Sequence, residues 1–267
     1  MAELVFVKLG GSLITDKRAE AAARPEVIAR LAGEIRGALD TRPGLHLLLG
    51  HGSGSFGHVV AQRYRVQSGC TDWRGYALTS AAAARLNRIV TDGLLQADVP
   101  VVSVQPSASA RARGGELRQL ETSPIAELLA HGLVPLVYGD VALDETWGTT
   151  IISTEVIFAY LARALRPQRI VLVGEVAGAY SADPRLDPTA RLIPVVSARR
   201  LEETGSELGG SHGVDVTGGM HSKVHLMVDL VRDLPGLRVV LLSGLQPGLL
   251  GRALVDAEFN PGTLITS

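Results

Sequence analysis

Residues 4–12 read Leu4-Val5-Phe6-Val7-Lys8-Leu9-Gly10-Gly11-Ser12, and the fold turns on how that run is read. Leu4–Leu9 is a short apolar stretch closed by a glycine pair, the pattern of a buried strand ending in a tight turn. Lys8 interrupts it. An ammonium inside a buried strand is costly unless something pairs with it, so Lys8 marks a site. Two glycines after a strand let backbone N–H groups come close to an anion. Lys17, farther along, could set a second positive charge on the other side of a transferring phosphoryl group. An ordinary turn with two solvated lysines is the alternative reading of this motif taken alone.

Outward from that strand, apolar runs and helical patterns alternate. Pro25 opens a helix with Val27, Ile28, Leu31, Ile35 and Leu39 at helical spacing. Leu45–Leu49 is a second strand, followed by a glycine-rich turn from Gly50 to His58. An Ala-rich helix is expected over 74–97, a strand at Val99–Val104, and a hairpin or irregular excursion at Ser109–Leu120 around Gly114 and Gly115. Ser123 and Pro124 start a helix ending near Gly132. Leu133–Tyr138 is a strand ending at Gly139–Asp140. A helix at Thr154–Leu165, a strand at Arg169–Val173, a loop-rich stretch over 176–216, a helix over 219–234, a strand at Leu237–Leu242 and a short strand at Thr263–Thr266 complete the pattern. This alternation predicts an α/β fold, a three-layer αβα sandwich with a largely parallel central sheet. Ligands in such sheets bind at the carboxyl ends of strands. Four polar or glycine-rich turns stand there, after Leu9, Leu49, Tyr138 and Val173. One domain over 1–267 is expected, dividing near Arg166–Pro167 into lobes 1–166 and 167–267.

The chain has 267 residues, 46% hydrophobic and 20% charged, with a formal net charge of −1. That balance suits a packed globular protein and gives no general basic field for nucleic acid. The single cysteine, Cys70, cannot form an intrachain disulfide. Met1–Thr15 lacks the basic region and cleavage site of a secretory leader, and no stretch reaches membrane-spanning length. A cytoplasmic protein is expected.

Three further segments carry chemistry. In Gly50-His51-Gly52-Ser53-Gly54-Ser55-Phe56-Gly57-His58, residues 52–57 match G-x-G-x-x-G. The acidic residue that a dinucleotide site needs about twenty residues on is missing, and no lysine follows to make a Walker A loop. A small-residue loop after a strand still makes a phosphate cradle, and His58, closing it, could donate to an anion. In Asp215-Val216-Thr217-Gly218-Gly219-Met220-His221-Ser222-Lys223, a lysine in the first turn of a helix opposes the macrodipole unless a polyphosphate is bound there. Lys223 is thus a candidate for the β- and γ-phosphates or, equally, a solvated lysine. Gly174-Glu175-Val176-Ala177-Gly178-Ala179-Tyr180-Ser181-Ala182-Asp183-Pro184-Arg185 could wrap a nucleoside, with Tyr180 against the base and Asp183 near the ribose; an ordinary surface loop is the plainer reading. His221 and His225 have zinc-compatible spacing but no evident third ligand, and read as solvent-face residues. Phe56, Tyr64, Trp73 and Tyr76 could line an apolar pocket.

Taken in order, Lys8–Ser12, Gly50–His58, Gly139–Asp140, Ile152–Glu155, Gly174–Arg185 and Asp215–Lys223 resemble the amino-acid-kinase family over nearly the whole chain. Lys-Leu-Gly-Gly-Ser with Thr-Asp-Lys, joined to Gly-Ser-Phe-Gly-His, is similar to the branch that phosphorylates isopentenyl phosphate. The resemblance implies ATP with Mg²⁺, isopentenyl phosphate as acceptor, a homodimer, and no nucleic-acid or membrane partner. A kinase for another small phosphate or phosphonate such as fosfomycin, and a non-catalytic nucleotide-binding protein, are the alternatives. It implies catalytic roles for His58, Lys8 and Lys17. ATP is expected at Lys8, Gly10, Gly11, Ser12, Gly54, Gly174, Glu175, Tyr180, Asp183, Gly219 and Lys223, of which Gly219 and Lys223 match the family's ATP-phosphate contacts. The resemblance places the acceptor at Ser53, Gly54, His58, Gly139, Ser153 and Thr154, giving an acceptor-binding lobe 1–166 and a nucleotide-binding lobe 167–267. The family commonly shows Ser-Gly-Asp-Asp where this chain has Ser153-Thr154-Glu155-Val156, an Asp where it has Ala177, and three glycines where it has Gly52-Ser53-Gly54.

Overall fold

The computed structural model describes residues 3–16, 18–19, 21–70, 72–184, 186–199 and 219–267, with the side chains of His58 and Val59 outside that description. In chain order the strands are β1 (Glu3–Leu9), β2 (Thr15–Asp16), β3 (Ala22–Ala23), β4 (Leu45–His51), β5 (Val101–Ser103), β6 (Arg111–Arg113) and β7 (Glu116–Gln119). They continue with β8 (Val134–Tyr138), β9 (Asp140–Asp144), β10 (Gly148–Ile152), β11 (Arg169–Gly174), β12 (Val195–Ser197), β13 (Arg238–Ser243) and β14 (Thr263–Thr266). The helices are α1 (Gly11–Ile14), α2 (Pro25–Thr41), α3 (Gly54–Arg63), α4 (Trp73–Gln96), α5 (Ser123–Ala130), α6 (Thr154–Leu165), α7 (Gly219–Asp233) and α8 (Leu249–Val255).

β1 lies inside an eight-stranded sheet of order β12-β14-β13-β11-β1-β4-β8-β5. Every neighbouring pair is parallel except β13–β14. Successive side chains of a strand take opposite faces, and β1 fills both. Val5, Val7 and Leu9 join Leu47 and Leu49 of β4 against α2, α4 and α8. Phe6 joins Leu48 and Ile170 against α5, α6 and α7. The expected three-layer αβα sandwich with a largely parallel sheet is what forms. From β1 the chain moves to β4 on one side and later returns to β11 on the other, so β1 and β11 flank the point where strand order reverses, the usual place for a ligand crevice.

Three expectations change. The turn expected over Gly50–His58 shrinks to Gly52–Ser53, because β4 continues through His51 and α3 begins at Gly54. Gly50 is a packing residue: a Cβ there would stand 2.6 Å from Thr154 and 2.7 Å from Phe158, both on α6. The turn at Gly10–Ser12 coils into the short helix α1. The stretch after Tyr138 holds an antiparallel hairpin, β9–β10, that the sequence pattern does not announce. Its turn and the turn between β6 and β7 share one carboxylate, since Asp144 accepts from the N–H groups of Gly114, Gly115, Thr146 and Trp147. The excursion around Gly114 and Gly115 resolves as the β6–β7 hairpin, in a four-stranded sheet of order β10-β9-β6-β7. Among the described residues no helix is long and apolar enough to cross a membrane.

Candidate active site

Lys8 takes the same face of β1 as Phe6, two residues earlier. Phe6 packs edge-on against Phe158 of α6, ring centroids 5.2 Å apart. One helical turn before Phe158 stands Glu155, and Lys8 Nζ meets its Oε1 at 3.0 Å, each side chain only 7% exposed. Strand and helix periodicities thus bring the pair together. Lys8 is flanked in register by Gly50 and Leu172, and the missing side chain at Gly50 lets the start of α6 settle onto the sheet. The Lys8–Glu155 contact is a buried ion pair. Lys223 Nζ of α7 reaches the same oxygen at 3.5 Å. Burial alone would raise the Glu155 carboxyl; Lys8, then Lys223, reverse that and hold it at about 2. One carboxylate therefore gathers two ammonium groups from different elements.

Around this hub the two glycine segments interlock. A Cβ at Gly11 would lie 2.4 Å from Gly54 N, and one at Gly52 2.9 Å from Gly11 N. Gly54, at φ +50°, has Thr15 Oγ1 where a Cβ would be. Thr15 Oγ1 in turn donates to Gly11 O and accepts from Ser55 N–H. The N-terminal end of α3, the positive end of its dipole, opens beside this backbone. Behind it His51 is fully buried. Its Nδ1–H donates to Gly52 O at 3.1 Å, and its Nε2 accepts from Asn87 Nδ2 at 3.2 Å. Burial, with Lys8 adding repulsion, pulls the imidazole down to about 4 and keeps it neutral. Its ring stacks on Tyr138 with centroids 5.5 Å apart.

These segments line a cleft of about 920 Å³ at the carboxyl end of the sheet, within the size range of small-molecule sites. Of the residues singled out from sequence, Lys8, Gly10, Gly11, Ser12, Ser53, Gly54, Gly139, Ser153, Thr154, Gly174, Glu175, Tyr180, Asp183 and Lys223 all line it. Gly219 begins α7 beside Met220, which also lines it. Lys223 is the fifth residue of that helix as described, past the first turn. Lys17 and Asp215–Gly218 lie outside the described residues. His58 belongs to α3, with its side chain outside the description. Asp140 turns away from the cleft into the core and accepts from Ser107 N–H and Val141 N–H. Phe56, Tyr64, Trp73 and Tyr76 do not line this cleft; Phe56 is core, and Trp73 is 57% exposed.

At the far end, the loop after β11 is held open by its neighbours. Gly244 N–H donates to Gly174 O, Ser243 Oγ to Glu175 O, and Ala179 N–H to Thr263 Oγ1. Leu172, Val173, Tyr180 and Leu241 give this end an apolar lining. Among the described residues no three imidazole, thiol or carboxylate groups gather to hold a metal ion, and Glu155 is already engaged by two lysines.

Four contributors escape the sequence reading. Ser55 lines the cleft, its buried hydroxyl without a hydrogen-bond partner among the described residues, which marks it for a ligand oxygen. Arg18, beside Lys17, lines the mouth and is held by Asp16 through paired N–H···O contacts. His51 and Asn87 act through the backbone of the cradle. Residue type and spacing do not distinguish these from loop serines, surface arginines and core polar groups; only the tertiary contacts do.

Residues 3–243 match the family model described as the amino acid kinase family. The chain is 37% identical to a protein named isopentenyl phosphate kinase from Methanothermobacter thermautotrophicus, over 98% of this chain and 99% of that one. It is 33% identical to a protein of the same name from Methanocaldococcus jannaschii, over 84% and 86% of the two chains. A solved structure described as "X-ray structures of isopentenyl phosphate kinase" superposes with a TM-score of 0.84 at 34% identity, covering 98% of this chain and 100% of that chain.

Proposed function

The chain belongs to the amino acid kinase family, and from that premise we propose that it transfers the γ-phosphate of ATP to isopentenyl phosphate, giving isopentenyl diphosphate and ADP. The observation that carries this reading is the ion-paired Lys8–Glu155–Lys223 hub set in a glycine-lined cleft, in a chain similar end to end to isopentenyl phosphate kinases.

The chemistry follows from the charges. A phosphate monoester has its second pKa near 6, so the acceptor oxygen is largely ionised near neutral pH and needs no general base. What the site must supply is alignment of two polyanions and stabilisation of the equatorial oxygens of the transferring group. Lys8 and Lys223, released in part from Glu155 by the incoming phosphates, supply charge. The backbone of Gly10, Gly11, Gly52 and Gly54 supplies close approach, and Ser55 Oγ a donor. We assign His58 to the acceptor phosphate and Lys17 to the transferring group, completing the set from outside the described side chains. Lobe 1–166 takes the acceptor and lobe 167–267 the nucleotide, with Tyr180 and Asp183 at its base and ribose. Mg²⁺ belongs to the substrate as the MgATP complex, since Mg²⁺ binds through substrate phosphates with few protein ligands and the cleft's buried carboxylate is engaged. A cytoplasmic homodimer completes the reading.

The test is ADP formation by the purified chain with isopentenyl phosphate, with fosfomycin, with other small monophosphates and without acceptor. Isopentenyl phosphate should give the highest kcat/KM by a wide margin. Faster turnover of a polar acceptor, or ADP release independent of any acceptor, would overturn the assignment.

A further inference from the structure

We propose a second, separate site on this protein: a divalent transition-metal site formed by His221 and His225. The sequence spacing places both on one face of α7, and the structure brings them much closer than shared facing requires. Their Nε2 atoms lie 3.0 Å apart, with ring centroids 4.2 Å apart and planes tilted by 57°. Both rings are half-buried, so part of their rotamer freedom is already spent. Two metal–nitrogen bonds of about 2.1 Å meeting near a right angle put the nitrogens about 3.0 Å apart. That is the cis relation of a tetragonal or octahedral ion, the geometry that Cu²⁺ and Ni²⁺ prefer with imidazole ligands. A tetrahedral ion opens the same pair to about 3.4 Å by a small rotation of either ring.

The pair stands apart from the cleft. Met220 and Lys223, on the neighbouring positions of the helix, line the cleft, whereas neither imidazole does. An ion on both rings ties two successive turns of the helix that carries Lys223 to Glu155. The competing occupant of a 3.0 Å gap between imidazoles is a single shared proton, one ring donating Nε2–H to the other.

The experiment uses the full chain without an affinity tag, titrated with Cu²⁺ and followed by electron paramagnetic resonance, and with Zn²⁺ by equilibrium dialysis. One equivalent of Cu²⁺ bound through two imidazole nitrogens is expected. His221→Ala and His225→Ala should each weaken binding roughly a hundredfold, the loss of one arm of a chelate. His221→Gln and His225→Gln repeat the test with less change in volume, and His131→Ala, on the exposed end of α5, should leave binding unchanged. A His221→Ala/His225→Ala double variant that binds as tightly as the parent would overturn the site. So would a parent spectrum showing one nitrogen or none, which would leave the pair as proton-sharing imidazoles.

Discussion

Glu155 holds two lysines of unlike exposure, Lys8 with a side chain 7% exposed and Lys223 with one 42% exposed. Removing the carboxylate leaves a buried ammonium without a counter-ion, a loss of about 3 kcal/mol or more. Glu155→Gln should lower the urea midpoint at pH 7 and reduce kcat at least tenfold. The folded carboxyl, at about 2, lies below its ordinary value of 4.5. Its contribution is therefore complete above about pH 4.5 and lost as pH falls toward 2. That acid limb should be missing from Glu155→Gln; an unchanged limb would remove the charge hub from the picture. His51 makes a second pH signature. Its folded value of about 4 lies below the ordinary 6.5, so stability should fall by about 3 kcal/mol as pH drops from 6.5 to 4. His51→Gln should flatten that slope, and urea midpoints across pH 7 to 4 read it directly. Lys8 was legible from sequence because a lysine in an apolar run is conspicuous. Its partner was visible only as the reduced acidic pair at Glu155, and His51 not at all, since burial and stacking on Tyr138 leave no trace in residue order.

The two glycine segments work as one element. They touch backbone to backbone, and a methyl group at residue 11 would fall 2.4 Å from Gly54 N. Gly11→Ala should therefore separate α1 from α3 and cut kcat/KM by roughly a hundredfold, the cost of misplaced catalytic groups. Gly33→Ala is the matched control. That glycine lies in α2, where an added Cβ would have nothing within 4 Å of it, and the change should stabilise the chain by about 0.5–1 kcal/mol with activity intact. Long elements were read well from sequence: α2, α4 and α6 fall where the helical spacing puts them. The β9–β10 hairpin was not, because its strands are only five residues long and its turn is held by the Asp144 carboxylate, which accepts from the N–H groups of Thr146 and Trp147. Nor was α8, only seven residues long and entered through Gly248 at φ +83°.

Across the whole molecule, the reversal of strand order at β1 and β11 sets the cleft between segments from both halves of the chain. The turns after β1, β4 and β8 come from residues 1–166, and the turn after β11 together with Lys223 from residues 167–267. Amide hydrogen exchange should report the two halves separately. ATP should slow exchange over 172–183 and in α7, and isopentenyl phosphate over 52–63; protection of one common segment by both ligands would undo the division into lobes. The parallel sheet and the crevice at its carboxyl end were legible because strand–helix alternation dictates them. Which side chains complete the crevice depended on packing between distant segments. The most direct test of transfer between two phosphates gathered in one cleft, without a covalent enzyme intermediate, is its stereochemical course with ATP carrying a chiral, isotopically labelled γ-thiophosphate. Inversion at phosphorus is expected for a single in-line displacement; net retention would contradict it.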